Sequence, residues 1–96
     1  MRQVMVRYKV KPERVAENEA LVRAVYEELA ERAPYGVRYA TFRLDDGLSF
    51  VHVALLDDGQ SLSELATFQR FTAEISDRCD EPPATSSLSP IGSYRL

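Results

Sequence analysis

The amino-terminal segment alternates apolar and polar side chains. Its apolar positions are separated by single residues, at Val4, Val6, Tyr8 and Val10. Between them lie Met5, Arg7 and Lys9. A period of two is typical of a strand with one apolar face, so the pattern predicts a first strand over residues 3–10.

The next segment changes from a period of two to helical spacing. Pro12 suits a first helical position, where its missing N–H has no partner to lose. The apolar positions that follow are Val15, Leu21, Val22, Val25 and Leu29. Pro34 and Gly36 then stop the pattern, because proline cannot lie inside a helix and glycine accepts a positive φ. The segment therefore predicts an amphipathic helix over residues 13–32.

Two runs rich in β-branched and aromatic residues, 37–44 and 48–56, flank the turn sequence Asp45-Asp46-Gly47 and predict a hairpin. A two-residue Asp46-Gly47 loop pairs Thr41 with His52 across the strands. We expect one face of this hairpin to pack on helices, through Ala40, Phe42, Val51, Val53 and Leu55. We expect the other face to stay open and to carry Tyr39, Thr41, Arg43, Phe50 and His52.

The last third of the chain predicts one more helix and one more strand. Ser61 followed by Glu64 is typical of a capping box that opens a helix. The apolar stripe of that helix is Leu65, Phe68, Phe71 and Ile75. The Asp-Glu-Pro-Pro run at 80–83 ends it, and residues 88–96 predict a final edge strand.

The element order β-α-β-β-α-β indicates an α+β fold of the ferredoxin-like type, an antiparallel sheet with both helices on one face. The 96 residues fit one domain, 1–96. With Met5, Arg7 and Lys9 added from the first strand, the open face would expose an aromatic surface that water does not favour. We therefore expect a homodimer through the open sheet face, forming a dimeric α+β barrel.

Composition narrows the classes of function. The net charge of −3 argues against a protein that binds nucleic-acid phosphates. No apolar run reaches the roughly 20 residues of a membrane span, so we expect no membrane partner and a cytoplasmic location. Cys79 is the only cysteine, which leaves no disulfide framework and no cysteine-based metal cage. We expect neither a metal nor a cofactor.

The only histidine, His52, is the first candidate for chemistry, because an imidazole can relay a proton or bond a substrate oxygen. Tyr39 is the second, since its hydroxyl could bond a phenolic ligand. The substrate-binding candidates on the same expected face are Arg7, Thr41, Arg43 and Phe50. Packing roles for the rings, and salt bridges for the cations, are the alternatives.

Several segments resemble one family. They are Val-Arg-Tyr-Lys-Val-Lys-Pro-Glu at 6–13, Phe-Gln-Arg-Phe at 68–71, Cys-Asp-Glu-Pro-Pro at 79–83 and Ile-Gly-Ser-Tyr-Arg at 91–95. In these the chain is similar to the antibiotic biosynthesis monooxygenase-like proteins of the dimeric α+β barrel superfamily. The resemblance implies a barrel built from two sheets. It also implies oxidation of aromatic or quinol-like substrates without metal or flavin, or cleavage of haem; the chain offers no histidine between 61 and 79 for the latter.

Three functions follow as hypotheses. The first is a binding module that encloses a small aromatic or quinone-like ligand between the sheets. The second is a cofactor-independent monooxygenase for a phenolic or hydroquinone substrate, with His52 as the base and Tyr39 beside it. The third, which ranks last, is a single-stranded RNA binder, because the RNA recognition motif shares the element order and Phe50 could stack a base. Leu48 and Val53 stand where that motif has stacking aromatics.

Overall fold

The computed structural model describes residues 1–96 and shows four strands and three helices. The strands are β1 (Arg2–Val10), β2 (Val37–Arg43), β3 (Ser49–Leu56) and β4 (Cys79–Ser87). The helices are α1 (Val15–Arg32), α2 (Ala66–Thr72) and α3 (Ile75–Arg78). All strand pairs are antiparallel in the order β2-β3-β1-β4, which confirms the predicted α+β, ferredoxin-like fold. No helix combines the length and the apolar character needed to cross a bilayer.

Helix α1 confirms the first helical prediction. It follows a 3-10 turn at Pro12–Arg14 and buries Asn18, Val22 and Val25 against the sheet and α2. It ends at Ala33, whose left-handed backbone (φ 43°) turns its N–H onto the carbonyl of Leu29 at 2.7 Å. The amphipathic pattern thus fixed both the existence of this helix and the side that it buries.

The hairpin register was also predicted correctly. Thr41 lies opposite His52, and Phe42 lies opposite Val51. The Asp46 carboxylate holds the turn by accepting the N–H groups of Leu48 at 2.9 Å and Ser49 at 2.8 Å. Local turn chemistry therefore set which residues face each other across the strands.

The assignment of the hairpin's two faces was wrong. Strand β1 places Tyr8 opposite Phe50 and Val6 opposite His52, and opposed residues share a sheet face. The face that packs on the helices therefore carries Phe50 and His52, together with Tyr39, Thr41 and Arg43 of β2. The face without helices carries Ala40, Phe42, Val51, Val53 and Leu55, next to Met5 and Arg7 of β1.

The second predicted helix is broken in two. Glu74 adopts a left-handed backbone conformation (φ 59°) between α2 and α3, which ends the first segment. The capping-box prediction was wrong, because the Ser61 hydroxyl contacts Ser63 at 2.7 Å and makes no bond at the helix start. Instead Glu28 of α1 accepts the backbone N–H of Thr67 at 3.1 Å, in the first turn of α2.

The predicted position of the last strand was wrong as well. The strand that pairs with β1 is β4, at Cys79–Ser87, and not residues 88–96. Its Pro82 and Pro83 are tolerated because β4 is an edge strand, and register shifts interrupt its pairing with β1. Beyond β4, the side chains of Ile91 and Leu96 are exposed.

Candidate functional site

A cavity of about 400 Å³ lies between the helix-packed face of the sheet and α2. Its apolar lining comes from Val4, Val6, Ala54 and Leu56 of the sheet, with Phe68, Phe71 and Ile75 opposite. Ligand pockets commonly measure roughly 300–1,000 Å³. The sequence predicted a ligand between two sheets, whereas this cavity belongs to one chain and lies on the helix-packed side of the sheet.

His52 is the centre of the polar part of this cavity. Its Nε2 lies 2.7 Å from the Tyr8 hydroxyl, and its Nδ1 lies 2.5 Å from the Tyr39 hydroxyl. All three side chains line the cavity, and only 4% of His52 is exposed to solvent. Tyr8 comes from β1, His52 from β3 and Tyr39 from β2. The three side chains meet because these strands are neighbours in the sheet. Both ring nitrogens are thus occupied by phenol groups.

The hydrogen bonds continue from Tyr8 away from the cavity. Asn18 of α1 donates from Nδ2 to the Tyr8 hydroxyl at 3.0 Å. The Arg78 Nε donates to the Asn18 Oδ1 at 3.4 Å. We call this series of groups, Arg78, Asn18, Tyr8, His52 and Tyr39, the relay. Tyr8, Asn18 and Arg78 are each 2% exposed or less, so bulk water does not compete for these bonds.

Thr41 joins the relay at its other end. Its hydroxyl lies 3.1 Å from the His52 Nδ1 and 2.7 Å from the Tyr26 hydroxyl. The Tyr26 and Tyr39 rings stack with centroids 5.3 Å apart. The stack holds Tyr39 in place beside the histidine.

Burial keeps the relay uncharged at its centre. Desolvation lowers the pKa of His52 from 6.5 to about 4, because the buried ring loses the hydration of its cationic form. Burial also raises the pKa of Tyr8 and of Tyr39 well above the usual 10. At neutral pH the cavity therefore presents a neutral imidazole and two neutral phenols.

The structure brings together only part of the predicted set. His52 and Tyr39 meet at the cavity, and Thr41 contacts His52 behind it. Phe50 is 3% exposed and stacks on Tyr8 in the core with a centroid distance of 5.6 Å. The remaining two lie elsewhere: Arg43 forms an ion pair with Glu19 at 2.6 Å, and Arg7 is on the face without helices. These last two do not reach the cavity.

Three residues of the relay were missed by the sequence analysis. Tyr8 was placed on the correct face of β1, but that face was taken for a purely structural one. Asn18 stands among charged residues in a helix, and no local pattern marks it. Arg78 is 60 residues away from Asn18, so only the fold brings them together.

No protein-family model matches the sequence, and no curated protein sequence matches it. Solved structures do. The structure of Rv0793 from Mycobacterium tuberculosis is 20% identical with a TM-score of 0.78, over 96% of each chain. A crystal structure named antibiotic biosynthesis monooxygenase is 19% identical with a TM-score of 0.77, over 96% of this chain and 100% of that one.

A variant of SnoaB, described as a cofactor-independent oxygenase from Streptomyces nogalater, is 17% identical with a TM-score of 0.71, over 99% of this chain and 97% of that one. These alignments run along nearly the whole length of both chains. The chain therefore has the fold of the antibiotic biosynthesis monooxygenases of known structure, as the resemblance in its sequence implied.

Proposed function

We propose that the cavity binds a small planar aromatic ligand with a phenol-type oxygen, and that the protein oxidises this ligand with dioxygen without metal or flavin. The observation that carries the proposal is the Tyr8, His52 and Tyr39 cluster, a compact polar group on the wall of a mainly apolar cavity. Apolar pockets with a few convergent polar groups are the usual form of a small-molecule site. The likeness to SnoaB supports the same activity.

The cavity walls suit a flat ring. Phe71 lies 5.2 Å from the His52 ring and 6.0 Å from Phe68, measured between centroids. Aromatic faces at such spacings attract a further ring by offset or edge-to-face packing. Phe68, Phe71 and Tyr39 line the same cavity, so a ligand ring packed on the two phenylalanines would share it with the Tyr39 hydroxyl.

The proposed reaction balances without an added reductant. A phenol with a free para position and one O₂ give a quinone and one water. One oxygen atom enters the ring as the new carbonyl, and the other leaves as water. The four electrons that reduce O₂ come from the substrate, as it loses the hydroxyl hydrogen and the ring hydrogen. The cavity contributes binding, exclusion of water and hydrogen bonds to the ring oxygen.

His52 as the base remains a prediction. Its two ring nitrogens are bonded to protein hydroxyls, and its pKa of about 4 makes it a weak acceptor of a phenol proton. His52 lines the cavity beside Tyr39, so a substrate oxygen would have to displace one of these hydroxyls to reach a ring nitrogen. Equal rates of oxygen consumption by wild type and His52→Ala would remove His52 from the mechanism.

The direct test measures oxygen consumption with a panel of phenols and hydroquinones, followed by mass spectrometry of the quinone formed under ¹⁸O₂. We expect one ¹⁸O atom per quinone from phenols with a free para position. Tyr39→Phe should lower the rate about tenfold or more, because it removes a hydroxyl that lines the cavity. The matched control is Tyr35→Phe, since Tyr35 is 88% exposed. Equal rates in the two variants would contradict the role of Tyr39.

Binding without turnover is the second candidate. One observation favours it: every buried polar side-chain atom already has a hydrogen-bond partner within the chain. Saturable binding of naphthoquinones by calorimetry, with no ¹⁸O incorporation from any phenol, would select this function over the oxygenase. The RNA-binding hypothesis depended on Phe50, which is buried in the core and cannot stack a base.

A homodimer through the face without helices remains our proposal for the partner. The reason changes from the one that the sequence suggested. The surface there is aliphatic, with the partly exposed side chains of Val51, Val53 and Leu55 in a row, and Phe42 at its side is 59% exposed. A second copy of the same face would cover these side chains.

A further inference from the structure

Arg78 is a buried cation without a carboxylate partner. It is 2% exposed, and no ion pair within 4.0 Å includes it. Its guanidinium donates to the carbonyls of Phe71 at 2.6 Å and Ala73 at 3.2 Å, and to the Asn18 Oδ1 at 3.4 Å. A buried charge is costly unless it is compensated, and here all the hydrogen bonds of the guanidinium go to neutral dipoles. A buried cation therefore lies behind this part of the cavity wall, and Arg2 is the one charged side chain that lines the cavity itself.

The titratable groups around Arg78 do not form an ion pair with it. Burial raises the pKa of Tyr8 on β1 and of the Cys79 thiol on β4, so both stay protonated. On α1, the Glu17 carboxylate is held by the Arg14 Nε at 2.7 Å in an exposed pair. The Arg78 carbon Cζ lies 5.6 Å from the centroid of Phe71, whose ring lines the cavity.

The cation also fixes the direction of the hydrogen bonds. A guanidinium can only donate, so the Asn18 Oδ1 accepts and the Asn18 Nδ2 is turned toward Tyr8. The Tyr8 hydroxyl accepts that bond, and its own hydrogen has the His52 Nε2 as its partner at 2.7 Å. On this hydrogen-bond pattern we assign the proton of the neutral ring to Nδ1.

That tautomer determines what the cavity offers a ligand. The His52 Nδ1–H donates to the Tyr39 hydroxyl oxygen. The hydroxyl hydrogen of Tyr39 then points away from the histidine, on a side chain that lines the cavity. Tyr39 is thus a hydrogen-bond donor to the ligand, and it favours an oxygen that accepts.

We propose that Arg78 and Asn18 are positioning residues that fix this direction, so that the cavity selects a ligand oxygen in its anionic form, a phenolate or an enolate. The proposal deepens the proposed function and rests on a phenolic ligand in the cavity. An O₂-consuming reaction would gain from it, because a phenolate gives up electrons more readily than the neutral phenol.

Asn18→Asp should reverse the direction of the relay. An aspartate oxygen accepts from Arg78 and also from the Tyr8 hydroxyl, which then no longer donates to His52. The His52 Nε2–H would donate to Tyr8, and the Tyr39 hydroxyl would donate to Nδ1. Tyr39 could then only accept from a ligand, which favours the neutral phenol. The same change also places a carboxylate beside the Arg78 guanidinium.

The test uses 4-nitrophenol, whose phenolate has its own visible absorption, and measures the pKa of the bound ligand by spectrophotometric titration. In the wild type we expect a bound pKa about one unit below that of free 4-nitrophenol, so that the phenolate binds about tenfold tighter than the phenol. In Asn18→Asp we expect the bound pKa to equal or exceed the free value. Arg78→Lys keeps the charge and should retain part of the shift, whereas Arg78→Met should lose it.

Two controls separate the outcomes. Arg23→Gln removes an equal charge from the surface, where the side chain is 76% exposed, and should leave the shift unchanged. If 4-nitrophenol binds with an unshifted or raised pKa in the wild type, the inference is overturned while the cavity still binds phenols. If neither 4-nitrophenol nor the non-ionising 4-nitroanisole binds, the proposed function fails as well. If Arg78→Met does not fold, the bound pKa of 4-nitrophenol in Asn18→Asp and Arg78→Lys still tests the inference.

Discussion

Lowering the pH should destabilise the fold through His52 alone over the range from pH 7 to 5. The pKa of His52 falls from 6.5 to about 4 on burial. Between these two pH values the histidine is protonated in the unfolded chain and neutral in the folded chain. The stability that the neutral buried ring provides is fully present above pH 6.5 and is lost as the pH falls toward 4. No other histidine contributes, because the chain has one.

The size of the effect follows from the two pKa values. At 1.36 kcal/mol per pKa unit, the free energy of unfolding should fall by about 2 kcal/mol between pH 7 and pH 5, and by about 3 kcal/mol in total. A domain of this size has a stability of roughly 5–15 kcal/mol, so the loss is easily measured. Carboxylates with a lowered pKa, such as Glu28 and Asp46, act in the same direction but at lower pH.

The assay is urea unfolding followed by far-ultraviolet circular dichroism at pH 7, 6 and 5, at one protein concentration, because association would also shift the midpoint. His52→Gln is the control, since an amide can still bond both neighbours but does not titrate. We expect this variant to be less stable than wild type at pH 7 and nearly independent of pH down to 5. A wild-type stability that stays flat over this range would refute a buried, neutral His52.

Three further perturbations test other parts of the structure. Tyr8→Phe removes the hydroxyl at the middle of the relay and leaves two buried groups without a partner, so thermal unfolding should show a loss of about 2–3 kcal/mol; a loss below about 0.5 would contradict the relay. Gly36→Ala should cost about 1–2 kcal/mol in the same assay, since Gly36 has φ +80° and a Cβ there would meet the Asp57 Oδ2 at 2.8 Å; an unchanged melting temperature would count against that geometry. Val53→Glu should shift sedimentation toward monomer, with Arg23→Gln on α1, 76% exposed, as the control of equal charge change; a wild type that is monomeric at all concentrations would contradict the dimer proposal.

Much of the fold could be read from local patterns. The alternation in β1 and the helical spacing of α1 depend on each segment's own residues, and both predictions were confirmed. The hairpin register followed from the turn at Asp46, which bonds its neighbours within three residues. These features need no information from distant parts of the chain.

The predictions that were wrong concern the second helix and the last strand, where local sequence signals compete. The segment at 79–87 is polar and contains Pro82 and Pro83, yet it forms β4 because β1 offers an open edge. The second helix has a continuous apolar stripe, but Glu74 interrupts it with a left-handed conformation. Periodicity does not reveal either event.

A sequence pattern could not show which face of the hairpin packs on the helices, for a physical reason. Both sides of β3 are apolar, so Phe50 and Val51 look equally suited to a core. The pairing of Tyr8 with Phe50 decided the matter, because it aligned the buried side of β1 with one side of β3. Arg43 was thereby turned from a supposed binding residue into the partner of Glu19.

The sequence by itself determined the chemical identity of the site's centre, since a single histidine and a nearby strand tyrosine could be picked out by residue type and register. Tertiary structure alone decided that Asn18 and Arg78 stand behind them, because hydrogen bonds between residues far apart in the chain depend on how helices and strands pack. Burial, and with it the lowered pKa of His52, is likewise a property of the packed layers and not of any local run of residues.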